Sequence, residues 1–139
     1  LYPEMAFFIP LIAAMGGNAG VQSSAIIVQG LATKSMGMSG ILPKLGKEFM
    51  VGLLNGLVCA VIIFGYNMIF GDSLALSYTV SLALLSVIII ATLFGTFVPL
   101  ILDKYDIDPA LATGPFITTV NDVLGLFIYF IIGHLLYIA

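Results

Sequence analysis

The sequence predicts an all-α integral membrane protein with four spans, and three observations carry that prediction. Apolar residues make up 61% of the chain and charged residues only 8%, where soluble domains run at roughly 45–50% and about 25%. The apolar residues gather into four long segments, each sufficient for the roughly 20 residues that a spanning helix needs. The breaks between the segments are polar and turn-like. A soluble fold could not hide this much apolar surface, so lipid is part of the solvent. In 139 residues, four spans and their loops occupy the whole chain as one transmembrane domain and leave no room for a soluble one.

The first segment runs from about Met5 to Thr33. The break after it, Lys34 to Lys47, alternates Met36, Met38, Ile41, Leu42 and Leu45 with glycine, serine and lysine. That pattern predicts an interfacial amphipathic turn or short helix, while Gly37, Gly40, Pro43 and Gly46 argue against a long regular one. The second segment runs from about Glu48 to Phe70 and ends at Gly71-Asp72-Ser73. The third runs from about Leu74 to Leu102, followed by a break from Asp103 to Asp108. The fourth runs from about Pro109 to Ile138, with Asp108 as N-cap and Pro109 at the first helical position. Within it, Gly114-Pro115 can delay the regular helix by a turn or two.

Orientation follows from the lysines. Lys34, Lys44 and Lys47 lie in the first break and Lys104 in the third, which face the same side of a four-span layout. The second break and both chain ends carry no lysine or arginine. The positive-inside rule therefore puts loops 34–47 and 103–108 in the cytoplasm, with a prokaryotic inner (plasma) membrane as the expected location. A net charge of −3, no arginine and scattered lysines exclude a nucleic-acid partner. The single cysteine, Cys59, excludes an internal disulfide and reads as a packing thiol. No secretory leader is visible at the N-terminus. Residue 1 is not methionine, so the sequence reads as a fragment.

Chemistry is carried by the polar residues inside the spans. Glu4, Glu48, Asp72, Asp103, Asp106 and Asp108 lie at or near segment ends, but Asp122 lies inside the fourth. An ionised side chain at a helix centre costs about 2.5–3.5 kcal/mol on insertion scales, and such residues normally face a wet cavity or a partner. No lysine or arginine lies at matching depth. The partners left are a cation, a proton, or hydroxyl and amide groups, and the plain alternative is a protonated acid bonded to a neighbouring helix. Gly114, Thr118, Asp122, Gly125 and Tyr129 fall on one helical stripe. Its oxygens suit a hard divalent ion, though glycine and threonine also serve helix packing. The first segment carries Gly16, Gly17, Asn18, Gly20 and Gln22. The glycines permit close helix approach, with a GxxxG spacing from Gly16 to Gly20. Asn18 and Gln22, one turn apart, either bond across helices or line a pathway. Gly52 and Gly56 form a second GxxxG and read as packing, and His134 as a solvated residue near the last segment's end. No zinc site, nucleophile–base pair or phosphate loop is present, so the chain is not read as an enzyme.

Two motifs resemble a known family. The first is Pro10-Leu11, Gly16-Gly17-Asn18-Ala19-Gly20-Val21-Gln22-Ser23 and Gly30-Leu31-Ala32. The second is Asp108-Pro109-Ala110, Gly114-Pro115, Thr118-Thr119 and Asp122-Val123-Leu124-Gly125-Leu126. Together, in this order, they resemble the MgtE magnesium transporters over nearly the whole chain. The resemblance implies a five-helix domain, of which four helices are visible, that forms a homodimer around one shared pore. It implies Mg2+ as the transported ion, a pore-lining aspartate at Asp122, and Thr118 and Gly114 facing the ion path. The segment containing Asn18 would pack near the pore. A cytosolic regulatory region, with paired CBS modules in many members, is implied outside this sequence. Gln29 departs from the family signature, which usually has arginine there. On the residues alone, a proton- or sodium-coupled carrier using Asp122 and a non-transporting docking subunit stay open beside the magnesium pathway.

Overall fold

The computed structural model of the chain describes residues 3–35, 40–71 and 73–138. Five α-helices account for most of them: α1 (Pro3–Phe7), α2 (Ile9–Ala32), α3 (Ile41–Phe70), α4 (Leu74–Lys104) and α5 (Pro115–Gly133). A 3-10 turn covers Pro109–Ala112 and a π-helical turn covers His134–Ile138. No strand occurs among the described residues. Four stretches are long and apolar enough to cross a membrane: Pro3–Ala32, Ile41–Phe70, Leu74–Lys104 and Pro115–Tyr137. The chain is therefore an all-α membrane protein. The first three stretches have 30, 30 and 31 residues, or about 45 Å at 1.5 Å per residue. The hydrocarbon core is about 30 Å thick, so their ends reach the headgroup layers.

Local chemistry explains where the elements differ from the sequence reading. The first span is interrupted at Phe8, between α1 and α2. Pro10 has no N–H to donate to the carbonyl four residues back, so the hydrogen-bond ladder is broken there. The second span begins at Ile41 rather than Glu48, so Lys44 and Lys47 stand on a helix and not in a loop. Pro43 falls in the first turn, where backbone N–H groups have no intrahelical partner to lose. The amphipathic turn expected at Met36 and Met38 lies outside the described residues, as does Asp72. Ser73 caps α4 by accepting a hydrogen bond from the Leu76 amide at 3.3 Å. Asp108 likewise accepts from the Ala110 amide at 2.9 Å, but the turn it caps is the short 3-10 segment. The α-helix proper starts only after Gly114, whose φ of 55° and ψ of −128° suit a residue without a Cβ.

α4 is the central helix. It packs against α2, α3 and α5, while α3 packs chiefly on α4 alone. Ile12, Val80, Leu84, Val87, Ile88 and Tyr129 form the fully buried centre. Lipid tails are as apolar as leucine, so close packing rather than water exclusion must hold the helices together. Glycine supplies it. A Cβ on Gly16 would come 2.8 Å from the Val87 Cγ1, and one on Gly95 would run into the backbone carbonyl of Gly20. α2 and α4 therefore run parallel, backbone against backbone. A Cβ on Gly52 would lie 3.2 Å from the Thr92 Cβ, and one on Gly56 2.8 Å from Leu85, which sets α3 antiparallel to α4.

Two alanine substitutions test this packing in opposite directions. Gly95→Ala places a methyl against backbone that cannot rotate away, and should destabilise by about 1–3 kcal/mol. Gly65→Ala meets nothing within 4 Å and should be neutral or stabilising by up to about 1 kcal/mol through helix propensity. Thermal unfolding of the two variants in detergent, followed by size-exclusion profile, gives the comparison. Equal midpoints would mean that the α2–α4 contact is looser than described.

Candidate functional site

Asp122 is the eighth residue of α5 and packs against the glycine run of α2. A Cβ on Gly17 would come 2.9 Å from the Asp122 Oδ1 and 3.4 Å from the Thr118 Cγ2. Gly17 is the fifteenth of the thirty residues in the first span, so the carboxylate lies level with the middle of that span. Asp122 and Thr118 are half-buried. They stand at the border between the packed face of α5 (Ile117, Asn121, Gly125) and its outer face (Thr119, Val123, Phe127).

Asn18 and Gln22, beside Gly17 on α2, are both exposed and lie one turn apart on the same side. Gln29 falls within about 40° of both around the helix at 100° per residue. The amides and the carboxylate thus form one polar face on the outside of a helix pair whose outer surface is otherwise largely apolar. Asn18 and Gln22 make no hydrogen bond across to a neighbouring helix among the described residues.

The stripe expected on α5 divides into different roles. Gly114 precedes the helix, and its carbonyl accepts two hydrogen bonds from Thr118, one from the amide and one from the Oγ, both at 3.1 Å. Gly125 serves packing, since a Cβ there would lie 3.1 Å from Val87. Tyr129 faces inward. Its ring is fully buried and its hydroxyl donates to the Met5 carbonyl at 2.8 Å, tying α5 to α1. Gly16 and Gly20 pack as well, Gly16 on α4 and Gly20 on Ile117 and the side chain of Asn121. The Ser24 hydroxyl donates to the Ala112 carbonyl, which fixes the 3-10 turn ahead of α5 onto α2. His134 is exposed.

One residue escaped the sequence reading altogether. Asn121 is 1% exposed, and neither its Oδ1 nor its Nδ2 has a hydrogen-bond partner. Its i−4 and i+4 neighbours, Ile117 and Gly125, place it on the packed face, and that periodicity could have singled it out. Among the described residues no three His, Cys, Asp or Glu side chains cluster. The site offers one carboxylate per chain, bordered by hydroxyl, amide and backbone oxygens.

Fold and site together define a polytopic helical membrane domain with an acidic, oxygen-bearing face level with the middle of the first span. The chain belongs to the MgtE family of divalent cation transporters, whose family model matches residues 9–132. It is 40% identical over 126 residues to the Magnesium transporter MgtE of Bacillus subtilis (strain 168), an alignment that covers 91% of this chain and 28% of that protein. It is 37% identical over 131 residues to the protein of the same name from Enterococcus faecalis (strain ATCC 700802 / V583), covering 94% and 29%. With that of Thermus thermophilus the identity is 35% over 132 residues, covering 95% and 29%. The chain thus spans less than a third of the length of these relatives. All three relatives are named as magnesium transporters.

The Tyr129 tie gives a local prediction. Tyr129→Phe leaves the Met5 carbonyl with only the Phe8 amide, at 3.2 Å, and should cost about 0.5–1.5 kcal/mol. Hydrogen exchange over residues 3–8 should rise in the variant while the centre of α4 stays protected. Unchanged exchange in that segment would show that the bond does not hold α1.

Proposed function

We propose that this chain forms one half of a two-fold symmetric channel that passes Mg2+ down its electrochemical gradient, with Asp122 as the ion-recognising carboxylate. The observation that carries the reading is the polar face itself: Asp122 against Gly17, with Asn18 and Gln22 beside it and unbonded to any neighbouring helix. Lipid offers these groups no hydrogen bonds, and a charge held there needs water, a cation or a partner. A second copy related by a two-fold axis would cover both faces at once and enclose a wet path between them. Two Asp122 carboxylates would then face one passage, with Thr118 and Gly114 bordering it at the start of α5.

Magnesium prefers six oxygens at about 2.0–2.1 Å and gives up water reluctantly. A path with one carboxylate per chain and several neutral oxygens is suited to hold the hydrated ion through its water shell. Calcium, larger and more tolerant in its coordination, would fit less well. The names of the three relatives support this choice of ion. A divalent ion gains roughly 4.6 kcal/mol per 100 mV of inside-negative potential, twice the single-charge value, so uptake needs no second energy source. Lys34, Lys44, Lys47 and Lys104 support a cytoplasmic position for the first and third connections in a prokaryotic inner membrane. A regulatory region would act from that side.

Mg2+ uptake into proteoliposomes under an inside-negative potential tests the proposal on the full-length protein. Asp122→Asn should lower uptake at least about tenfold, because a lost ion–carboxylate contact is worth roughly 1.5–3 kcal/mol. Gly17→Ala keeps every charge but crowds the carboxylate, and should give an intermediate loss. Equal uptake by wild type and Asp122→Asn would remove Asp122 from the path. Uptake that requires an imposed proton or sodium gradient would replace the channel with a coupled carrier.

A further inference from the structure

The polar face accounts for α2 and α5 but leaves the opposite flank of α4 unexplained. There Gly52 and Gly56 bring α3 closely onto α4. Toward the end where α3 begins and α4 ends, the two helices open a groove of about 580 Å3. Leu42, Leu45 and Phe49 line it from α3, and Leu93, Phe94 and Phe97 from α4. No lining side chain is polar, and none belongs to the Asp122 face.

A cation stands at the mouth of this groove. Phe97, Ile101 and Lys104 follow one another at i, i+4 and i+7, so Lys104 lies on the groove face of α4, about 10 Å beyond Phe97. The Gly52–Thr92 contact sets the register between the helices. Ile41, the first residue of α3, is roughly 16 Å from Gly52, and Lys104, the last of α4, is roughly 18 Å from Thr92 in the same direction. Lys104 therefore stands level with the first turn of α3. It is exposed, as is Tyr105 beside it. With α4 longer than the hydrocarbon core is thick, Lys104 sits in the headgroup layer while Phe97 lies among the tails.

We infer that the α3–α4 groove binds an anionic phospholipid, its acyl chain between Phe49, Phe94 and Phe97 and its headgroup phosphate on the Lys104 ammonium. The groove is continuous with the outer surface of α3, where Met50, Leu54, Val58 and Val61 are exposed. That continuity gives a lipid chain direct lateral entry from the bilayer, and the lysine adds a preference for negative headgroups.

Photolabelling tests this on the full-length protein in phosphatidylcholine vesicles. A trace of phospholipid with a diazirine on its acyl chain carries either a phosphatidylglycerol or a phosphatidylcholine headgroup, and labelled peptides are mapped by mass. The glycerol probe should label segments 42–49 and 90–97 about fivefold more than the choline probe, the preference expected for one lysine at an anionic headgroup. Lys104→Gln should abolish that excess, and Lys104→Arg should keep it. Gly46→Leu fills open space in the groove lining and should lower labelling by both probes. Equal labelling by the two probes would overturn the inference in favour of an ordinary lipid annulus. Absence of label from both segments would overturn it in favour of protein, either a second copy or another segment, covering the groove.

Discussion

The position of the carboxylate depends on how closely the glycine run of α2 lets two other helices approach. Within little more than one turn, Gly16 meets Val87 of α4, Gly17 meets Asp122 of α5, and Gly20 meets both Asn121 of α5 and Gly95 of α4. Each contact is one that a Cβ would crowd or break. In lipid there is no hydrophobic term to pull separated helices back together. The glycines therefore fix where α5 lies along α2, and hence the depth at which Asp122 sits. The Ser24–Ala112 bond holds the turn ahead of α5 to the same helix, so α2 positions both the start of α5 and its acidic residue.

Polar groups elsewhere in the bundle are mostly self-contained. Ser77, Thr79, Ser86 and Thr96 donate to the carbonyl four residues back along the chain, which satisfies the hydroxyl without a neighbouring helix. Tyr129 and Ser24 are spent on ties between segments far apart in sequence. Asn121 differs, since its amide is buried beside the carboxylate and bonded to no protein group. A buried amide left so costs desolvation free energy that an apolar residue of similar size would not. Its place against Gly20 puts that cost at the crossing where α2, α4 and α5 converge.

Much of this was legible because composition and period are strong signals in membrane helices. Four apolar runs of spanning length have few alternative folds, and a lone carboxylate in such a run is conspicuous without any structure. Boundaries were less legible. Pro43 and Gly46 read as breakers, yet a proline in a first turn forfeits no hydrogen bond, and so α3 begins at Ile41. Gly114 fell on the helical stripe by spacing alone, but its positive φ takes it out of the helix. Tyr129 matched the same spacing and turned inward, because periodicity assigns a face only to within about half a turn and cannot say which border of that face is wet. Asn121, about 100° around from Asp122, was overlooked for a similar reason: the more conspicuous charge next to it absorbed the reading.

α4 joins the two flanks, and its sequence places a weak point between them. Pro99 has no N–H, so the Gly95 carbonyl lacks its usual donor four residues on. Gly95 is also the residue whose backbone meets the Gly20 carbonyl. Phe97, on the other flank, lines the apolar groove. A lipid that wedged α3 away from α4 would load α4 at Phe97, between the proline and the Gly95 contact, where the helix has the least hydrogen bonding to resist bending. Gly95 touches Gly20, and Gly17 on the same stretch of α2 touches Asp122 of α5. The helix that carries neither the carboxylate nor the exposed amides is thus the one through which the surrounding membrane has a continuous path of contacts to them.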